Sequence, residues 1–142
     1  MIDSFDLGRF VQAQDPVQAQ VLRELGEGRK LSHWMWFVFP QLRGLGHSAM
    51  AQCYGLASIA EAQAYLSHPV LGPRLVRGTA LVNAVRGRTV NQIFGSPDDM
   101  KFHSSMTLFA HAEPGETVFR EALRLYFAGA EDSRTVAMLR DQ

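Results

Sequence analysis

The chain has 142 residues, 46% of them hydrophobic and 20% charged, with fourteen basic side chains balanced by fourteen acidic ones. That is the composition of one ordinary globular domain able to bury a sizeable core, and it excludes a disordered or fibrous chain. A net charge of zero leaves no basic excess to displace counterions, so general nucleic-acid binding is not expected.

Helix signals dominate from the start. Ser4 can cap a first helix carrying Leu7, Phe10 and Val11 at helical spacing. The opening MIDSFDLGRF is polar within a few residues, so no secretory leader is expected. Asp15-Pro16 reads as a fresh cap with proline at the first helical position. Val17, Val21, Leu22 and Leu25 stripe the helix that follows, and Gly26 or Gly28 can end it.

The segment from Lys30 to Ser48, KLSHWMWFVFPQLRGLGHS, holds both tryptophans, two of the nine phenylalanines and two of the five histidines. WMWFVF has the aromatic content of a strand, although its polar and apolar residues do not alternate. The apolar run Trp34 to Pro40 is far too short to span a bilayer. Cys53, the single cysteine, allows no internal disulfide and reads as a buried, inert thiol in a reducing cytoplasm.

Ser58-Ile-Ala-Glu61 has the form of a capping box, opening a helix that stops at His68-Pro69. Thr79 to Val85 is the best strand candidate, but its alanines and asparagine suit a helix continuing from Leu75 at least as well. Thr89-Val-Asn-Gln92 is a second capping box, on a short helix ending near Gly95. Ser96-Pro97-Asp98-Asp99 is the strongest start signal: a capping serine, a proline, and two acids facing the positive helix end. That helix should run toward His111, with Pro114-Gly115 breaking it. Val118, Phe119, Leu123, Tyr126 and Phe127 stripe another, and Val136 to Arg140 can form a last one. The fold class is therefore all-α or mainly α. We expect a compact single multihelical domain over residues 1–142, with about eight helices and at most one small strand pair. Trp34, Trp36, Phe37, Phe39, Leu75, Phe94, Met106 and Phe109 should be largely buried.

Three groups of residues carry candidate chemistry. Lys101, Ser104, Ser105 and Leu108 fall at i, i+3, i+4 and i+7, hence on one helix face. A lysine beside two hydroxyls resembles a nucleophilic Ser/Lys pair or a phosphate grip. Equally, the serines can be small residues that let helices pack closely, with Lys101 solvated. Among the histidines, His33 beside Trp34 is the best candidate for acid/base work, against the plainer reading of a half-buried, satisfied ring. The histidine spacing and the lone cysteine give no metal site. In the loop Gln41-Leu-Arg43-Gly44-Leu-Gly46-His47-Ser48, paired glycines would let backbone amides approach an anion, or simply make a turn. Arg43 and Arg74 could clamp a phosphorylated ligand between planar forks.

Three blocks, SHWMWFVFPQLRGLGHS at Ser32 to Ser48, YLSHPVLGPRL at Tyr65 to Leu75 and IFGSPDDMKFHSSMTLF at Ile93 to Phe109, resemble the family catalogued as domain of unknown function 1810. With FDLGRFVQAQ at Phe5 to Gln14, the resemblance covers nearly the whole chain. It implies a mainly α-helical domain and supplies no activity. The order of an aromatic block, HP-x-L-x-x-x-L and FG-x-x-D is more distantly similar to the NADAR family, which acts on N-glycosidic bonds of ADP-ribose-like or phosphoribosyl compounds. In that comparison His33, Gly95 and Asp98 fall on motif positions, while Ser32 stands in place of a glutamate and Phe94 in place of a tryptophan.

The expectation is a soluble cytoplasmic protein that binds a small anionic ligand, a nucleotide or an ADP-ribosyl or phosphoribosyl compound, with N-glycosidase-like hydrolysis as the chemistry the distant resemblance implies. His33, Asp98 and Lys101 are the catalytic candidates. Trp34 or Trp36 would stack a base, and Gln41, Arg43, Gly44, Arg74, Ser104 and Ser105 would complete the binding site. No cofactor, metal or membrane partner is expected. The alternative is a non-catalytic interaction or self-association module, a homodimer for instance, using residues 32–48.

Overall fold

The computed structural model describes residues 3–142, and among these it is all α-helical. In chain order the helices are α1 (Gly8–Gln14), α2 (Gln18–Glu27), α3 (Met35–Val38), α4 (Ala49–Tyr54) and α5 (Ile59–Ser67). They continue with α6 (Leu71–Ala84), α7 (Val90–Phe94), α8 (Asp98–Ala112), α9 (Val118–Phe127) and α10 (Ser133–Arg140). A 3-10 turn, Asp15–Val17, joins α1 to α2. WMWFVF is a single helical turn, and Thr79 lies inside α6. The only sheet-like pairing among the described residues is one parallel bridge between Leu42 and Leu56.

Helix α8 is the hub, packed against α5, α7, α9 and α10, while α6 packs on α2, α5 and α9. From Phe102 to Ala112 only His103 and His111 escape burial, so α8 is enclosed on nearly every side. Phe102 stacks on Phe94 (4.6 Å between centroids) and meets Phe39 edge-on (5.2 Å). These aromatic contacts join the 34–39 segment, α7 and α8 into one core. Every residue expected in that core is buried except Trp36, which is half-buried.

Several helix ends differ from the sequence reading. The first helix is held by Asp3, whose two carboxylate oxygens accept the N–H groups of Leu7 and Gly8 at 2.6 and 2.8 Å, not by Ser4. Ser58 caps α5, but Glu61 turns to the Ala57 N–H and to Arg9 instead of closing the box. Thr89 and Gln92 do form a full capping box. Pro97, not Ser96, occupies the N-cap position of α8, with no side-chain cap. Helix α2 ends at Gly28, whose φ of 72° is the left-handed conformation glycine adopts without a Cβ penalty. No helix among the described residues is long and apolar enough to cross a membrane. Cys53 is exposed rather than buried.

Candidate functional site

A buried carboxylate builds one wall of the candidate site. Glu24 projects from α2 into the core, where its Oε1 accepts the backbone N–H of Leu31 (2.8 Å) and Ser32 (3.0 Å) and the indole N–H of Trp34 (3.0 Å). Its Oε2 accepts the Ser32 hydroxyl at 2.6 Å. Burial pushes this carboxyl up, but the four hydrogen bonds together outweigh it and bring it down to about 2. The loop from Lys30 to Trp34 is thereby fixed from beneath. The Lys30 ammonium then donates to the Ser32 carbonyl (2.5 Å) and pairs with Asp98 Oδ2 (2.8 Å) at the start of α8.

Asp98 is shared. Its Oδ1 lies 3.6 Å from the ammonium of Lys101, which stands 5.1 Å from the Trp36 ring centroid. Around Lys101 three adjoining hollows meet. One, about 300 Å³, is lined by Lys30, His33, Trp36, Asp98 and Lys101 among others. A second, about 200 Å³, lies across Pro97 and Lys101 and takes in Gln41, His103, Ser104, Asp132 and Arg134. The third is a crevice of about 10 Å³ between Trp36, Gln41, Tyr54 and Lys101, room for a single water-sized group. The Trp36 indole N–H is buried and has no hydrogen-bond partner among the described residues.

Gln41 is brought here by the bridge between Leu42 and Leu56. Its carbonyl accepts the Leu56 N–H (2.9 Å), and the Arg43 N–H donates to the Leu56 carbonyl (2.8 Å). A Cβ on Gly55 would lie 2.7 Å from the Arg43 Cα, so glycine is what permits this approach.

The predicted residues thus divide. His33, Trp36, Gln41, Asp98, Lys101 and Ser104 converge, although they come from two stretches of chain far apart in sequence. Trp34 does not: it is 1% exposed, held by Glu24 and covered by Lys30, with no face open for stacking. Arg74 does not: it is spent on Asp15 (2.8 Å) and Gln14 (3.3 Å). Arg43 donates to the Gly55 carbonyl, so the two arginines form no clamp. Gly44 sits in an exposed turn with φ 104°, outside the three hollows. Ser105 is fully buried in the core, away from the hollows, and its hydroxyl has no hydrogen-bond partner among the described residues. Ser104 reaches the hollow's edge, but its hydroxyl lies 3.2 Å from both the Met100 carbonyl and Asp132 Oδ2, which makes it a donor to a carboxylate rather than a partner of Lys101. His33 is exposed rather than half-buried.

Sequence reasoning missed Glu24, Lys30, Asp132 and Arg134. For Glu24 a signal existed: it falls three residues after Val21, on the apolar stripe of α2 where a charge must find partners. The other three are ordinary surface types until the fold brings them to the groove.

Known proteins place this architecture. The chain is similar to the conserved hypothetical protein Rv1873 from Mycobacterium tuberculosis, whose crystal structure at 1.38 Å shares 59% identity over 97% of this chain and 99% of that one, with a TM-score of 0.96. No curated protein matches the chain. The model of the family described as "Protein of unknown function (DUF1810)" matches residues 4–139, and with nearly the whole length covered the chain belongs to that family.

Proposed function

We propose that the groove around Lys101 binds a small anionic ligand, with nucleotides and ADP-ribosyl or phosphoribosyl compounds as the candidates. The observation that carries this reading is the convergence of two ammonium groups, Lys30 and Lys101, on the single carboxylate of Asp98 at the lining of the larger hollow. Fixed cations lining a partly enclosed hollow favour an anion there. Lys30 and Lys101 bring two positive charges against the single carboxylate of Asp98, so the larger hollow keeps an excess of one. Its volume of about 300 Å³ is at the lower end of small-molecule sites.

Binding, not hydrolysis, is the activity we put forward. An N-glycosidase-like reaction of the NADAR type would need a carboxylate free to face a ribosyl cation. Here Asp98 gives both oxygens to lysines. The interaction-module alternative loses support because the aromatic segment is turned inward: Trp34, Met35, Phe37, Val38 and Phe39 are all buried. No base-stacking role is left for Trp34, and Lys101 already covers one face of Trp36.

Isothermal titration of the full chain with inorganic phosphate, AMP and ADP-ribose tests the reading. At least one should bind, and Lys101→Met should weaken it by tenfold or more, about 1.4 kcal/mol, with the melting temperature nearly unchanged. Equal affinity in the variant would take Lys101 out of the site and the reading with it.

A further inference from the structure

The second hollow, on the far side of Lys101, has a different chemical character from the first. Asp132 caps α10 through Oδ2 alone, which accepts the Thr135 N–H (3.0 Å) and lies near the Thr135 and Ser104 hydroxyls. All three bonds fall on one oxygen, Oδ1 accepts none among the described residues, and Asp132 lines a hollow of about 200 Å³. Arg134 lines the same hollow, exposed, with no carboxylate paired to it among the described residues. Gln41 adds an amide that can donate or accept.

The charges there decide what fits. With the ligand's anion already placed against Lys101, Arg134 and Asp132 balance one another, so this hollow keeps no net charge to attract a second ion. What remains is a neutral group rich in both donors and acceptors, of which neighbouring hydroxyls are the simplest case. We propose that the two hollows form one bipartite site whose ligand carries its anion at Lys101 and a neutral polyhydroxyl portion on the side of Asp132, Gln41 and Arg134. This rests on the anion-binding reading above and names the class of ligand: a phosphorylated or carboxylated polyol or sugar.

The test compares glucitol 6-phosphate with hexyl phosphate, esters of equal chain length with and without hydroxyls, by titration calorimetry on the full chain. Glucitol 6-phosphate should bind about tenfold to a hundredfold more tightly, the range of one or two hydrogen bonds to charged groups. Asp132→Asn keeps a good capping side chain but exchanges the charged acceptor for a neutral amide, and should lower the affinity ratio severalfold. Gln41→Leu, which touches no helix cap, should lower the same ratio, and it serves if Asp132→Asn does not fold. If both esters bind through Lys101 with equal affinity, the bipartite site is wrong and anion binding stands. A ratio that survives both substitutions places the hydroxyls elsewhere and also overturns the inference. If neither ester binds at millimolar concentration while AMP or ADP-ribose does, the bipartite site is wrong and anion binding stands; if none of these binds, both readings fail together.

Discussion

Glu24 Oε1 accepts the indole N–H of Trp34 at 3.0 Å and, on the same oxygen, the amide N–H of Leu31 at 2.8 Å. One carboxylate therefore ties down both ends of the short loop that carries Lys30 and His33 to the groove. An ion buried in this way is tolerable only because every donor around it is satisfied at once. The loop's polar groups gain a fixed partner, and the tryptophan gains a hydrogen bond without leaving the core.

The first prediction is a pH dependence. Glu24 is lowered from 4.5 to about 2, so its charged form is favoured in the folded chain by about 3 kcal/mol. The unfolded chain takes up this proton first as pH falls. The contribution is therefore complete above about pH 5 and is lost progressively between about pH 4.5 and 2. Glu24→Gln should cost about 2–4 kcal/mol at neutral pH. In urea melts from pH 7 to 2.5, the gap between wild type and variant should narrow on the acid side. A gap independent of pH would mean that the ionised carboxylate is not what holds the loop.

The two lysines on Asp98 should be unequal. Lys30 is 7% exposed and 2.8 Å from the carboxylate, whereas Lys101 is 23% exposed and 3.6 Å away. Double-mutant cycles with Lys30→Met, Lys101→Met and Asp98→Asn should give a coupling of about 1–2 kcal/mol for the Lys30 pair. The Lys101 pair should fall below about 0.5 kcal/mol, as for other solvated i,i+3 pairs. The reverse order would show that Lys101 is committed to Asp98 and unavailable to a ligand.

Two glycines should respond in opposite directions to alanine. Gly26 lies in α2 with nothing within 4 Å of an added Cβ, so Gly26→Ala should stabilise by about 0.5–1 kcal/mol through helix propensity. At Gly72, in the first turn of α6, a Cβ would sit 2.0 Å from the Leu66 carbonyl oxygen. Because the obstacle is backbone, Gly72→Ala should cost about 3 kcal/mol or more. Thermal melts of the two variants check the pair of signs.

How much of this was legible in the sequence follows from what each signal measures. The stripe Val118, Phe119, Leu123, Tyr126 gave α9 because it reports a face, and the capping serine at Ser58 gave a helix start because it reports a local bond. WMWFVF had no readable period, since Met35, Phe37 and Val38 are buried on several sides of a single turn. The meeting of Lys101 with His33 and Trp36 could be expected only from family blocks, not from spacing. Arg74 misled because a free guanidinium and one paired to Asp15 across 59 positions of sequence look identical in one dimension.

Trp36 supplies the sharpest check on the groove. Its ring packs beside Lys101 while its N–H is buried without a partner among the described residues. Trp36→Phe keeps an aromatic face for the ammonium and removes the unsatisfied donor. An unpaired buried donor costs about 1–3 kcal/mol, so deleting it offsets the packing lost with the smaller ring. The variant should therefore melt close to wild type, where an ordinary buried tryptophan replaced by phenylalanine would be clearly destabilised. Affinity for inorganic phosphate should change little, because a fully buried N–H gives nothing to a ligand in the groove while Lys101 keeps its charge. Phosphate binding that survives while stability drops would make Trp36 an ordinary core residue. Stability that holds while binding falls would overturn this expectation and assign the indole N–H to the ligand.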